Sequence, residues 1–174
     1  MATGTSTRHV RAISDNVAFK AKEAGEQPLG TEGERDSEWM LVDLNDVVDF
    51  EGWQDMELFP SYLKVADIGV SPLHRNLHHD TTYANKLFQY MSYAIPVLVS
   101  DALAQKNLVE EVKSGLVHKE KDAAEIAEKI LILFRDPDLS KKLGMNGKKF
   151  IEEKFCWEKV SDNLKDLYLN LEKS

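Results

Sequence analysis

The feature that most constrains the fold is a regular alternation of short apolar runs with helical patterns between residues 39 and 134. The runs at residues 68–71, 96–100 and 115–118 have the length and continuous apolar character of strands buried on both faces. An earlier run at residues 47–50 reads as the first strand of this series. Strict alternation of strand and helix predicts an α/β fold, in which a parallel sheet carries helices on both faces.

The predicted helices between these strands cover residues 58–66, 84–93, 103–113 and 123–134. Two more helices, at residues 139–154 and 157–171, end the chain without a strand between them. Their apolar residues recur at helical spacing, which indicates amphipathic packing. We therefore expect four or five parallel strands, with the runs at 68–71 and 97–100 at the centre, followed by two consecutive helices.

Charge divides the chain into two parts. Residues 1–57 hold 13 Asp and Glu against 5 Lys and Arg, whereas residues 58–174 hold 17 of each, so the net charge of −8 lies in the first third. Residues 1–38 are rich in small and polar residues and resemble segments that cannot offset their ordering entropy. We expect an acidic, flexible leader over residues 1–38, with a short helix as one option at 17–22, and a Rossmann-like domain over residues 39–174.

Several protein classes fit this sequence poorly. No run of about eighteen apolar residues and no apolar signal core occurs, which predicts no transmembrane segment and a cytoplasmic protein. Cys156 is the single cysteine, so neither a disulfide nor a cysteine metal cluster is expected. The acidic balance argues against nucleic-acid binding, which depends on clustered Lys and Arg.

The candidate ligand site is the loop at residues 71–83 together with the helix that follows it. In an open parallel sheet, ligands settle beyond the carboxyl ends of the strands, and this loop leaves a strand there. The free N–H groups of a helix N-terminus favour a phosphate, Thr81 or Thr82 is placed to cap that helix, and Lys86 adds a cation. Arg75 fits a phosphate contact and an ordinary surface charge equally well. His74, His78, His79 and Asp80 lack regular metal-ligand spacing, so no metal is expected.

Residues 83–100, from Tyr83 to Ser100, carry a family resemblance. They resemble the segment Pro-Asn-Lys-Leu-Phe-Glu-Tyr-Met-Ala-x-Gly-x-Pro-Val in the C-terminal, donor-binding domain of glycosyltransferases with two Rossmann-like domains (the GT-B type), especially the retaining family 4. Two positions differ, because Gln89 stands where the family has Glu and Ala94 where it usually has Gly. Phe155-Cys156-Trp157 is similar to the Phe-Ser-Trp that precedes the last helix in that family.

The resemblance implies which residues contact a nucleotide-sugar donor, linked to UDP or GDP. In the family, the helix N-terminus faces the diphosphate, the helical Glu accepts the ribose hydroxyls, and a second acidic residue eight positions earlier touches the sugar. The matching positions here are Gln89 and Thr81, with Asn85 and Lys86 at the start of the helix. Gln lacks the charge-assisted pairing of a carboxylate, so weaker donor binding is expected. No cofactor is implied, and no catalytic residue is assigned.

The resulting hypothesis is the donor domain of a retaining glycosyltransferase. A complete enzyme of this type needs a second, acceptor-binding domain, for which the 174 residues leave no room. We therefore expect little turnover from this chain alone and a possible acceptor-binding domain or chain as partner. The alternative is a non-catalytic nucleotide-binding or interaction module derived from such a domain.

Overall fold

A computed structural model describes residues 10–14, 17–21, 48–50 and 55–171 of the chain. Its centre is one sheet of six strands in the order β3-β2-β1-β4-β5-β6. The strands are β1 Val10–Ser14, β2 Val17–Ala21, β3 Val48–Phe50, β4 Ile68–Ser71, β5 Val97–Ser100 and β6 Gly115–His118.

Four of the strands are parallel, as predicted, but the first of them is β1, which was not predicted, and not the run at residues 47–50. Strand β1 pairs in parallel with β4, β4 with β5, and β5 with β6. Strands β4 and β5 lie inside the sheet, and every residue of both is buried. The apolar runs therefore have the double-sided burial that parallel strands require, and the α/β prediction is confirmed.

The remaining two strands correct the sequence-based expectations. Strand β2 pairs antiparallel with β1, so the short helix considered for residues 17–22 is wrong. Only two residues separate β1 from β2, a connection that suits a hairpin. Strand β3 pairs antiparallel with β2 at the edge of the sheet and does not begin the parallel series. The boundary at residue 38 stays a prediction, because most of residues 1–38 lie outside the described ranges.

The helices follow the predicted order with one addition. They are α1 Phe59–Val65, α2 Leu77–Thr81, α3 Asn85–Ser92, α4 Leu103–Val112, α5 Ala123–Arg135, α6 Pro137–Phe150 and α7 Trp157–Leu171, with a π-helical turn at Ile151–Phe155 between the last two. Helices α6 and α7 confirm the two consecutive helices at the end. The short α2 was not predicted, because its five residues are too few to show a helical pattern. Its N-cap is Asn76, whose side chain accepts a hydrogen bond from the His79 N–H at 2.8 Å.

Apolar side chains form a core on each face of the sheet. On one face, α1, α3 and α4 cover Val97 and Val99 with residues such as Leu87 and Met91. On the other face, α5 and α6 cover Ile68, Val70 and Leu98, with the buried Leu133 and Leu143 in contact. These two layers confirm that helices lie on both faces.

Close packing fixes α3 against β4. Gly69 faces the ring of Tyr90, and a Cβ built on Gly69 would lie 2.3 Å from Tyr90 Cδ2. Tyr90 is 1% exposed. After α3 the chain turns into β5 through Ala94, whose φ of 58° lies in the left-handed region. This backbone explains why the family pattern has Gly at that position.

The last helix presents an apolar stripe to solvent. Trp157, Val160, Leu164, Leu167 and Leu171 are 42–73% exposed. Their spacing of three and four residues keeps them on one side of α7. No helix in the described residues is both long enough and apolar enough to cross a membrane.

Candidate functional site

The candidate site lies at the carboxyl edge of the parallel strands. Strand β1 continues to β2 on one side, whereas β4 continues through α3 to β5 on the other, so the chain order reverses between β1 and β4. Ligands of open α/β sheets bind outside the carboxyl ends of the strands at such a switch point. The loop that follows β4, residues 72–84, begins at this position.

Among the described residues, no side chain caps the N-terminus of α3. Ala84 is the N-cap residue, and its methyl side chain cannot accept a hydrogen bond from the first N–H groups. Asn85 and Gln89 are exposed and lie four residues apart on the same side of α3. Lys86 is 9% exposed in the same turn. The structure thus brings together the three site residues predicted on the helix.

The threonines before α3 do not cap it. The Thr81 hydroxyl donates to the Leu77 carbonyl oxygen at 2.7 Å, and the Thr82 hydroxyl donates to the His78 carbonyl oxygen at 2.7 Å. Both hydroxyls therefore close the C-terminal end of α2. The capping role predicted for Thr81 or Thr82 is wrong, because the unpredicted α2 captures both side chains. Their backbones still place them on the loop that precedes the N-terminus of α3.

Arg75 forms an ion pair within the loop. Its Nη2 lies 3.1 Å from Asp80 Oδ2, and its Nε lies 3.4 Å from Asp80 Oδ1. The hydrogen bond to Asp80 raises the pKa of Arg75, and the hydrogen bond from Arg75 lowers the pKa of Asp80. The guanidinium already has a carboxylate partner without any ligand.

Further hydrogen bonds join the three loops at this edge. The Leu103 N–H, in the first turn of α4, donates to Asp80 Oδ1 at 2.9 Å. The Arg75 N–H donates to Glu120 Oε2 at 2.6 Å, and the Glu120 N–H donates to Asp101 Oδ1 at 3.0 Å. The loops after β4, β5 and β6 are therefore connected through carboxylates.

A buried polar group under the loops was missed by the sequence reasoning. The Gln105 side chain, 0% exposed, accepts a hydrogen bond from the Ser71 hydroxyl at 2.9 Å. Its Nε2 donates to the Ser71 carbonyl oxygen at 3.1 Å and to the Ser100 hydroxyl at 2.7 Å. A Gln within the apolar pattern of α4 and a Ser at the end of two neighbouring strands were the signal. Gln105 holds the ends of β4 and β5 together.

Two histidine rings lie against backbone carbonyl oxygens. His118, the last residue of β6, is 1% exposed. Its Nδ1 lies 2.7 Å from the Lys119 carbonyl oxygen, and its Nε2 has no hydrogen-bond partner in the part of the chain that the structure describes. His79 Nδ1 lies 2.6 Å from the His74 carbonyl oxygen. Among the described residues, no group of three His, Cys, Asp or Glu side chains is placed to hold a metal ion.

A cavity of about 380 Å³ lies at the opposite, amino edge of the sheet. It is lined by residues such as Lys64, Tyr93, Leu133 and Lys141, and none of the six predicted site residues lines it.

Sequence relatives of two kinds were found. The chain is 26% identical to the capsular polysaccharide biosynthesis glycosyltransferase CapM of Staphylococcus aureus over 108 residues. These residues cover 62% of this chain and 27% of that protein. Over 48 residues the chain is 50% identical to the ribosomal silencing factor RsfS of Chromobacterium violaceum, which is 28% of this chain and 39% of that protein. The chain thus spans less than half of each of these curated relatives.

Solved structures of glycosyltransferases share the fold. The chain matches sucrose-phosphate synthase from Thermosynechococcus elongatus with a TM-score of 0.65 and 26% identity, over 74% of this chain and 31% of that one. It also matches the C-terminal domain of a glycosyl transferase group 1 family protein, LpcC, from Francisella tularensis. That match has a TM-score of 0.53 and 22% identity, over 63% of this chain and 56% of that one.

A sequence model of the family described as "Glycosyl transferases group 1" matches residues 7–136, about three quarters of the chain. The match includes the parallel strands, the loop after β4 and α3. Together with the fold, it confirms the predicted resemblance to the C-terminal domain of GT-B enzymes. The chain belongs to the glycosyl transferases group 1 family.

Proposed function

We propose that this chain binds the nucleoside diphosphate of a sugar donor at the N-terminus of α3, as the donor-binding part of a retaining glycosyltransferase. The observation that carries the proposal is the uncapped first turn of α3 at the carboxyl edge of β4, with Lys86 in that turn. Free N–H groups and the positive end of the helix dipole favour a diphosphate there.

The exposed face of α3 gives the nucleoside its contacts. Gln89 lies one helical turn beyond Asn85, so a ribose beside the diphosphate can reach its amide. A neutral amide binds hydroxyl groups more weakly than a carboxylate does. Thr81 and Thr82 on the preceding loop remain predicted contacts of the diphosphate or the sugar.

The proposed chemistry is glycosyl transfer from a UDP- or GDP-linked sugar. Charge grows on the diphosphate as the glycosidic bond breaks, and fixed positive groups at the helix N-terminus stabilise that charge. Orientation of donor and acceptor supplies the rest of the catalysis. That orientation needs acceptor-binding surface, so we propose that turnover requires a further domain or chain.

Calorimetric titration with UDP and with GDP tests this proposal. Lys86→Ala should weaken binding through the phosphates, and Gln89→Glu should strengthen it through the ribose, each by roughly three- to tenfold. Lys64→Ala removes an exposed lysine on α1, at the other edge of the sheet, and should leave the affinity unchanged. Unchanged affinity in both site variants would place the nucleotide elsewhere, and no binding at millimolar nucleotide would refute the proposal.

A second candidate is an interaction module without chemistry of its own. The 48-residue stretch that is 50% identical to the ribosomal silencing factor RsfS favours this candidate, because that relative is named as a ribosomal silencing factor and not as a glycosyltransferase. Co-sedimentation of the chain with ribosomes tests this candidate. A chain that pellets with ribosomes and binds no nucleotide would favour it over the glycosyltransferase proposal.

A further inference from the structure

We propose that Asp80 is a positioning residue for the loop after β4, residues 72–84, and that Arg75 serves the site by holding Asp80 rather than by binding the diphosphate. The inference rests on the proposed donor site at α3. It assigns roles to two side chains that the family resemblance leaves open.

The geometry of Asp80 carries the first step. One carboxylate oxygen accepts the Leu103 N–H at 2.9 Å, and the other accepts Arg75 Nη2 at 3.1 Å. The Leu103 N–H belongs to the first turn of α4, where no N–H group has a partner within the helix. Asp80 therefore fills the N-terminus of α4 with a protein carboxylate, so a ligand anion there would have to displace it.

The second step concerns what Asp80 holds in place. It is the fourth residue of α2, and only Thr81 to Ala84 separate it from the N-terminus of α3. Arg75 sits at the other end of the same loop, and its backbone N–H is bound by Glu120 from the loop after β6. The pair thus fixes both ends of the α2 segment against two neighbouring loops. A fixed loop lowers the ordering cost when a ligand binds beside it.

A guanidinium paired with Asp80 is a poor diphosphate ligand, because Asp80 neutralises its charge and would repel the ligand. The side chain of Asp80 is only 19% exposed, compared with 42% for Arg75. The two possible roles of Arg75 therefore predict opposite effects of removing Asp80. A positioning carboxylate is needed for binding, whereas a competing carboxylate hinders it.

Amide hydrogen exchange of the free protein tests the hydrogen bond from the Leu103 N–H to Asp80, called the Asp80 bridge below, without a nucleotide. In Asp80→Ala the Leu103 N–H should exchange at least roughly tenfold faster, because its hydrogen-bond acceptor is lost. The Lys106 N–H, which donates to the Ala102 carbonyl oxygen at 3.0 Å in the same helix, should be unchanged and reports that α4 is intact. Asp162→Ala, which removes an exposed Asp paired with Lys165 at 3.0 Å, is the matched control. Unchanged Leu103 exchange in Asp80→Ala would overturn the inference.

Calorimetry with the nucleotide that binds the wild type tests the positioning role. Asp80→Ala and Arg75→Ala should each weaken binding by about three- to tenfold, and the double variant should be no weaker than the worse single variant. Tighter binding by Asp80→Ala, or additive losses, would make Arg75 a direct ligand and overturn the inference alone. A wild type that binds no nucleotide would overturn the donor site and the positioning role together.

Discussion

The contact between Gly69 and Tyr90 offers the sharpest test of how α3 is seated on the sheet. In Gly69→Ala the new methyl carbon would lie 2.3 Å from Cδ2 and 2.5 Å from Cγ of the Tyr90 ring, well inside ordinary van der Waals contact. The ring is rigid and 1% exposed, so it has no free space to enter. Overpacking of this kind costs about 1–3 kcal/mol, and we expect a value near 3 kcal/mol because strand or helix must move.

Urea and thermal unfolding of Gly69→Ala, Tyr90→Ala and the double variant measure this contact. A loss of about 3 kcal/mol corresponds to a fall in Tm of roughly 6–12 °C for a chain of this size. Tyr90→Ala should itself destabilise the protein, because it leaves a cavity, but it also removes the Cγ and Cδ2 atoms that the methyl group would meet. The double variant should therefore be about 2 kcal/mol more stable than the sum of the single effects.

Tyr93→Ala is the matched control for this cycle. Tyr93 follows α3 and is 40% exposed, so its replacement gives the methyl group on Gly69 no room. Gly69→Ala should cost the same with and without this change. Additive losses in the Tyr90 cycle, or equal coupling in the Tyr93 cycle, would show that the ring does not set the distance between α3 and β4.

Three further predictions concern the turn after α3 and the Asp80 bridge. Gly144→Ala should destabilise the protein by about 3 kcal/mol, because its Cβ would lie 2.0 Å from the Ala94 carbonyl oxygen. Gly147→Ala should cost less, because its Cβ would lie 2.9 Å from Cγ of the flexible Met91 side chain, and urea unfolding compares the two variants. Ala94→Gly should stabilise by about 1 kcal/mol in the same assay, because the φ of 58° strains a residue with a Cβ, and a loss would contradict that backbone. The hydrogen bond from Arg75 lowers the pKa of Asp80, so the stability that the carboxylate contributes is present at neutral pH and is lost as pH falls through the lowered pKa. The Leu103 amide shift should hold constant from pH 7 to 5 and move only at more acidic pH.

The sequence predicted those parts of the fold that local patterns encode. Strands β4 and β6 and helix α7 have their predicted bounds, because an apolar run or a helical stripe marks each end. The antiparallel pairing of β2 and β3 was not predictable in this way. Short segments such as Val17–Ala21 fit a helix or a strand by composition, and their partners in the sheet decide between the two.

The candidate site was predicted in position but only partly in its contacts. Its helical residues are adjacent in sequence, so a motif could find them. The bridge of Asp80 to Leu103 joins residues 23 apart, and that of Arg75 to Glu120 joins residues 45 apart. Such contacts depend on three loops meeting at one edge of the sheet. No local pattern in a single sequence records that meeting.

The paired strands of the sheet differ in how far apart they lie along the chain, and this separation predicts an order of folding. The β5–β6 pairing joins Val97 to Gly115 and the β4–β5 pairing joins Gly69 to Val97, whereas β1 meets β4 through Ala12 and Ile68. Longer loops lose more entropy when they close, so the pairing between β1 and β4 has the largest loop-closure entropy of the three. We expect β4, β5 and β6 with their helices to nucleate the structure. The β1–β2 hairpin would then add to a preformed edge late in folding.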